Sequence, residues 1–393
     1  MPAIAIQIMN KNIRLIALFN FFTDFHLFSA ILIIYFAKVT GSYALGMSLF
    51  SVAMVSSAIF EIPTGVFSDF IGRKKTMVLG AVCAVLAVTF YAIGTNYWIL
   101  FIGALFEGLQ RAWYSGNNSA LLYETLSNSN RKDEYDHYLG KTSAMFQVAA
   151  GVGIVIGGII AVWSFALVMW LSVIPQVICL AISLLIVEPI RRSNTSPNIY
   201  SHLTTALKKI WSNRKLRLLS INDIVGSAIG ESTYLFRGAF INTLWPLWAV
   251  GVAKVISSIG AAISYWYGGR IIRKVGAFRL LLISSIYGKI INIGSVAITT
   301  VISPLLLSST SLFYGVTSVA NSLLMQKEFS NDQRATLGSI NSFMGNIVFG
   351  IFAVALGIFA DKYGPANALL IAYILSLPTL LINWSLFKNN KNE

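Results

Sequence analysis

Four acids and an arginine stand out because they fall inside long apolar runs. Asp24 lies about ten residues beyond Arg14 in the first such run, with Asn20 and Thr23 on its face. Glu107 and Arg111 form an i,i+4 pair with the acid N-terminal, the favourable order on a helix. Asp223 and Glu231 share a later run. Charge in apolar surroundings is costly and marks an ion or substrate path by default. The chemistry on offer is the binding and release of protons. Asp24 first and Glu231 second are the expected protonation sites, because neither has a cation within its own run; Glu107 is the third. Either of the first two could instead pair with Arg111. The bland readings are that Glu107–Arg111 neutralises itself to let its helix pack and that Asp223 is solvated near an interface. His26, two residues from Asp24 but on another face, reads as packing. Lys254 and Lys289 also sit in apolar runs, and no role follows from their positions.

Bond-breaking chemistry finds no support. The chain has three histidines, no His-Glu-x-x-His and no phosphate-binding P-loop. Cys83 and Cys179 lack metal-ligand spacing and read as small core residues. No enzyme, metal or cofactor is expected, nor ATP-driven pumping by this chain alone.

The elements that must position these residues follow from composition. Of 393 residues, 56% are hydrophobic and 11% charged, with mean hydropathy +0.71; a soluble chain carries roughly 25% charged residues. The expected class is an all-α integral membrane protein. Apolar spans fall at about 13–37, 44–67, 77–94, 97–121, 143–162, 165–187, 217–237, 246–268, 278–299, 303–325, 336–359 and 365–387, which predicts twelve transmembrane helices. The first span is too long for the apolar core of a cleavable signal. With both termini cytoplasmic, 23 of the 29 lysines and arginines lie in inside segments, and only Lys38, Arg237 and Lys362 fall in outside links. That asymmetry sets the topology and places the chain in the cytoplasmic (inner) membrane. It also accounts for the net charge of +14 without nucleic acid.

Two six-helix bundles are expected, residues 1–187 and 217–393, joined by a cytoplasmic link at 188–216. In that link Leu203, Leu207, Ile210 and Trp211 recur at helical spacing among Lys208, Lys209, Arg214 and Lys215. This suits an amphipathic tether on the anionic inner leaflet. The halves echo each other. Gly65-Val-Phe-Ser-Asp69-Phe-Ile-Gly72 follows the second span, and Gly269-Arg-Ile-Ile-Arg273-Lys-Val-Gly276 follows the eighth. Lys141 precedes Gly151, Gly153, Gly157 and Gly158, as Arg334 precedes Gly338, Gly345, Gly350 and Gly357. Related halves with a substrate site near the midplane between them mark alternating-access transporters.

The run Gly65…Asp69…Gly72-Arg73-Lys74, in the link between the second and third spans, resembles the signature motif of the major facilitator superfamily. With Glu61-Ile-Pro63-Thr before it and Ser115-Gly116…Ala120-Leu-Leu-Tyr123-Glu124 after it, the chain resembles that family's bacterial drug-efflux-like permeases. The resemblance implies that Asp69 gates the cytoplasmic side by meeting the helix that starts at Arg334. A helix N-terminus suits a carboxylate. It also implies that spans 1, 4, 7 and 10 line the cavity, and the polar stripes fall there: Asn20 with Asp24; Arg111, Tyr114 and Asn118; Tyr234 with Glu231; Tyr314 and Asn321. The sequence departs from the family in two places. Ala104 stands where proton-coupled members often carry arginine, and the glycine run of the fifth span lacks the antiporter proline. The expected function is proton-coupled efflux of a small amphiphilic molecule by a single chain acting as a monomer, with the substrate, protons and the lipid bilayer as partners. The alternatives are a sugar or metabolite symporter or uniporter, and a non-transporting receptor of this fold.

Overall fold

The computed structural model describes residues 3–189, 210–328 and 334–390, and every element among them is helical. The chain forms two compact units, residues 1–41 with 52–194 and residues 42–51 with 195–393. The greater part of the central link, 190–209, lies outside the described residues; Ile210 packs on the core of the second unit and Trp211 is exposed.

The first unit runs through α1 (Ala3–Thr23), α2 (Leu32–Thr40), α3 (Tyr43–Ile71), α4 (Arg73–Ile93), α5 (Tyr97–Tyr114), α6 (Asn117–Asn128), α7 (Tyr135–Ala161) and α8 (Phe165–Leu185). The first residues of α3 belong to the second unit. Met9, Ile16 and Phe19 of α1, Met77 and Ala81 of α4, Leu121, Leu122 and Leu126 of α6, and Cys179 and Ile182 of α8 form one buried cluster. Both cysteines are free and buried, as their apolar settings predict.

The first expected span is broken, and other helices hold the break open. Between α1 and α2, residues 24–31 leave the helix. Carbonyl groups freed at a helix end inside a membrane need partners. Gln176 of α8 donates to Phe22 O and Thr23 O, both at 3.4 Å, and Thr23 Oγ1 donates to Phe19 O at 2.8 Å. The glycines of α7 make room for the non-helical backbone. A Cβ on Gly157 would lie 1.7 Å from Leu27 O, and one on Gly153 would lie 3.2 Å from His26 O. The fourth span is also broken, at Ser115-Gly116, between α5 and α6.

The second unit contains α9 (Arg214–Leu244), α10 (Leu247–Val275), α11 (Ala277–Ala297), α12 (Ser303–Ser309), a 3-10 turn (Thr310–Phe313), α13 (Tyr314–Glu328), α14 (Arg334–Leu375, kinked at Gly364) and α15 (Pro378–Asn389). Its core joins Leu216, Leu219, Leu281, Ala320, Leu324 and Leu386. Asp361 of α14 caps the start of α3, accepting from Ser42 Oγ (2.5 Å), Tyr43 N (2.6 Å) and Ala44 N (3.0 Å). Gly357, one turn earlier, permits the approach, since its Cβ would lie 2.6 Å from Ala44 Cα.

The two echoed segments fold alike. Gly72 (φ 102, ψ 158) is the single residue between α3 and α4, and Gly276 (φ 89, ψ 142) is the single residue between α10 and α11. Those angles are essentially reserved for glycine. The expected hydrophilic link is therefore mostly helix, with one glycine as the joint. By length and composition, six helical segments among the described residues could cross a membrane: Tyr43–Gly65, Arg73–Ile93, Phe165–Leu185, Leu247–Val275, Ala277–Ala297 and Gly338–Asn389.

Candidate functional site

The motif around Gly72 forms a cross-linked end to the first unit. Glu188, just beyond α8, accepts from Arg73 N (2.7 Å) and Lys74 N (2.8 Å), so a carboxylate sits on the positive end of α4. Arg73 Nε donates to Glu124 Oε1 at 3.0 Å and Nη1 to Ser68 Oγ at 2.9 Å. Asn117 Nδ2 donates to Arg73 O (3.1 Å), and Ser68 Oγ donates to Asn117 Oδ1 (3.2 Å). Ser115 Oγ donates to Glu61 Oε1 at 2.8 Å, and beside Pro63 the Thr64 hydroxyl reaches Ala112 O at 3.1 Å. The two stretches that carried the family resemblance thus bind one another. Gly65 meets open space. Asp69 lies in the last turn of α3 and Arg334 opens α14, but both side chains lie outside the described residues. Glu188 was not singled out in the sequence; an acid closing the sixth apolar run was the available signal.

Deeper in this unit, Glu107 is fully engaged. Its Oε1 accepts from Arg111 Nη2 (2.7 Å) and Nε (3.1 Å), and its Oε2 from Tyr91 OH (2.8 Å). Asp24 lies in the break between α1 and α2; its carboxylate makes no hydrogen bond among the described residues, and the charge acting on it is that of Arg111. The His26 and Phe28 rings meet tilted at 36°, centroids 4.9 Å apart, and His26 Nδ1 is buried and unpaired among the described residues. Asn20 Nδ2 donates to Thr142 O at 3.2 Å, tying α1 to α7. Tyr114 packs edge-on against Phe19 at 5.3 Å. Among the described residues, Asn20 Oδ1, Tyr114 OH and Asn118 Oδ1 are buried and make no hydrogen bond. Buried polar atoms are normally paired, so these three stand out.

In the second unit, Asp223 accepts from Asn321 Nδ2 at 2.7 Å, which joins α9 to α13. Asn321 Oδ1 is buried and unpaired. Glu231 finds a cation on α10: the charges of Glu231 and Lys254 interact, and the Lys254 ammonium lies 5.1 Å from the centre of the Tyr234 ring. Tyr314 is exposed and meets Tyr265 edge-on at 6.0 Å.

Arg237 corrects the sequence reading. The charge pattern places it in an outside link, but α9 continues to Leu244 and the side chain lies among other helices. Its Nε donates to Tyr373 OH (3.0 Å), Nη1 to Leu307 O (3.2 Å) and Thr310 Oγ1 (3.4 Å), and Nη2 to Asn292 Oδ1 (3.0 Å). Among the described residues no cluster of three or more His, Cys, Asp or Glu could hold a metal.

Known proteins bear on the whole chain. Over 389 residues it is 22% identical to an uncharacterized MFS-type transporter of Methanocaldococcus jannaschii, covering 96% of this chain and 98% of that protein. It is 28% identical over 122 residues to the class E tetracycline resistance protein of Escherichia coli, and 27% identical over 141 residues to an uncharacterized transporter of Buchnera aphidicola. Those two matches cover 31% and 36% of this chain and span only 28% and 34% of the relatives' own lengths. The fold is shared with the nucleoside transporter NupG (TM-score 0.80, 15% identity, 96% of this chain and 99% of that one). It is also shared with a bacterial homolog of the human lysosomal transporter Spinster (TM-score 0.75, 11% identity, 98% and 97%). The Major Facilitator Superfamily profile matches residues 14–353, and the chain belongs to that family of membrane transporters.

Proposed function

We propose that this protein expels a small amphiphilic compound across the cytoplasmic membrane by alternating access, driven by protons, as a monomer with both termini inside. Twelve crossings are assigned. They are the six apolar segments, with Gly338–Asn389 counted as two because of its kink at Gly364, together with α1–α2, α5–α6, α7, α9 and α12–α13. The observation that carries proton coupling is the contrast between two acids of one unit. Glu107 holds three hydrogen bonds, while Asp24 holds none and shares the influence of Arg111. A proton on Asp24 changes the charge that Arg111 faces, and cargo contacts at Asn20, Tyr114 and Asn118 lie on the same elements. Tyr234, Tyr314 and Asn321 are the corresponding contacts of the second unit. A second reading, symport or uniport of a sugar or other small metabolite, is favoured by the unpaired amide oxygens of Asn20, Asn118 and Asn321.

Reconstitution into proteoliposomes with an imposed pH gradient, against a panel of amphiphilic drugs and sugars, tests this. Substrate-dependent proton movement is expected. Transport that ignores the gradient would leave a uniporter and remove proton coupling. Gating by Asp69 is tested in the same vesicles: Asp69→Asn should insert normally and lose transport, and wild-type rates in that variant would remove the gate.

A further inference from the structure

The four described acids of the second unit are all committed. Asp223 accepts from Asn321, Glu231 interacts with Lys254, Glu328 pairs with Lys215 at 3.2 Å, and Asp361 caps α3. Two cations inside the helices are left with neutral partners only. Arg237 is held by Tyr373, Asn292, Thr310 and the Leu307 carbonyl, and Lys289 Nζ donates to Ser376 Oγ at 2.5 Å.

These two cations belong to one seam. Lys289 and Asn292 are one turn apart on α11, and Tyr373 and Ser376 are one turn apart on α14. Arg237 binds one member of each pair and Lys289 stands beside the other. Both cations are thereby tied to the same two helices, α11 and α14. Neutral acceptors fix the orientation of a guanidinium without cancelling its charge. Arg237 and Lys289 are half-buried, and setting two cations among helices with no anion is costly. Of the five guanidinium and three ammonium donors, one on Arg237 and two on Lys289 are unused. One free guanidinium N–H together with a free ammonium suits a planar or tetrahedral oxyanion.

We propose that Arg237 and Lys289 form an anion-recognition site and that the cargo carries a carboxylate or phosphate on its apolar body. The assignment rests on the transport reading and narrows its substrate class.

The test is direct binding to the full chain in nanodiscs, with 1-naphthoate, 1-naphthyl phosphate, 1-naphthylmethylammonium and inorganic phosphate as probes. The two naphthyl anions should bind saturably, and the ammonium probe at least roughly tenfold more weakly. Lys289→Met should weaken the anions by roughly tenfold while keeping the wild-type circular dichroism spectrum. Arg237→Gln should do the same, and Lys289→Met decides the matter if Arg237→Gln fails to fold. Unchanged anion affinity in Lys289→Met, or an ammonium probe that binds as tightly as the anions, would overturn the site. Inorganic phosphate binding as tightly as naphthyl phosphate would overturn the amphiphilic cargo. Proton-driven transport of a neutral compound without anion binding would remove this site and leave the transport reading intact. Anion binding without transport would do the reverse.

Discussion

Gly157→Ala is expected to unfold at a markedly lower temperature in detergent than the wild type, with a loss of about 3 kcal/mol or more. Its Cβ would fall 1.7 Å from Leu27 O and 2.4 Å from Leu27 C, far inside contact distance and against backbone. Overpacking typically costs about 1–3 kcal/mol where side chains can yield. Here the obstacle is the main chain of the α1–α2 break, which Gln176 pins from the other side. The control is Gly151→Ala, six residues earlier on α7, where a Cβ meets nothing within 4 Å. Alanine there removes a helix-weakening glycine, so no loss is expected. Equal melting of the two variants would show that α7 does not bear on the break. Because Asp24 lies in that break, a surviving Gly157→Ala protein should also transport poorly.

The second large effect is functional. Asp24→Asn keeps the size and polarity of the side chain but cannot gain or lose a proton. Substrate accumulation against a gradient should fall to the level of protein-free vesicles, while exchange down a substrate gradient persists. The split between driven and downhill transport is the informative reading, because a merely misfolded protein loses both. Glu107→Gln is the contrast. It leaves Arg111 without its carboxylate and Tyr91 without a charged acceptor, so it should lower thermal stability as well as transport. Driven accumulation at wild-type level in Asp24→Asn would exclude Asp24 as the proton carrier.

The parts of this molecule legible in its sequence were those set by local rules. Apolar runs announced helices, Gly72 and Gly276 announced their ends, and the i,i+4 spacing of Glu107 and Arg111 announced their pairing. The break at 24–31 was hidden because its residues are as apolar as the helices around it; what opens it is Gln176 and Gly157, more than a hundred residues away. The outside link assigned to Arg237 is misplaced because α9 runs seven residues beyond it, to Leu244. The Glu231–Lys254 interaction could not be read because its members lie on different helices. Glu188 on the start of α4 is a long-range cap of the same kind.

The single-glycine joints at Gly72 and Gly276 carry a consequence for how the chain enters the bilayer. One residue spans at most about 3.8 Å, so the helices on either side have no slack to be threaded separately. Each pair must go in as a hairpin, with its joint left at the surface from which insertion began. Arg73, Lys74 and Lys75 directly follow one joint, and Arg270, Arg273, Lys274 and Arg279 flank the other. Those cations hold each hairpin's bend on its starting side. The repeated motif is therefore also an instruction for biogenesis, given once in each half.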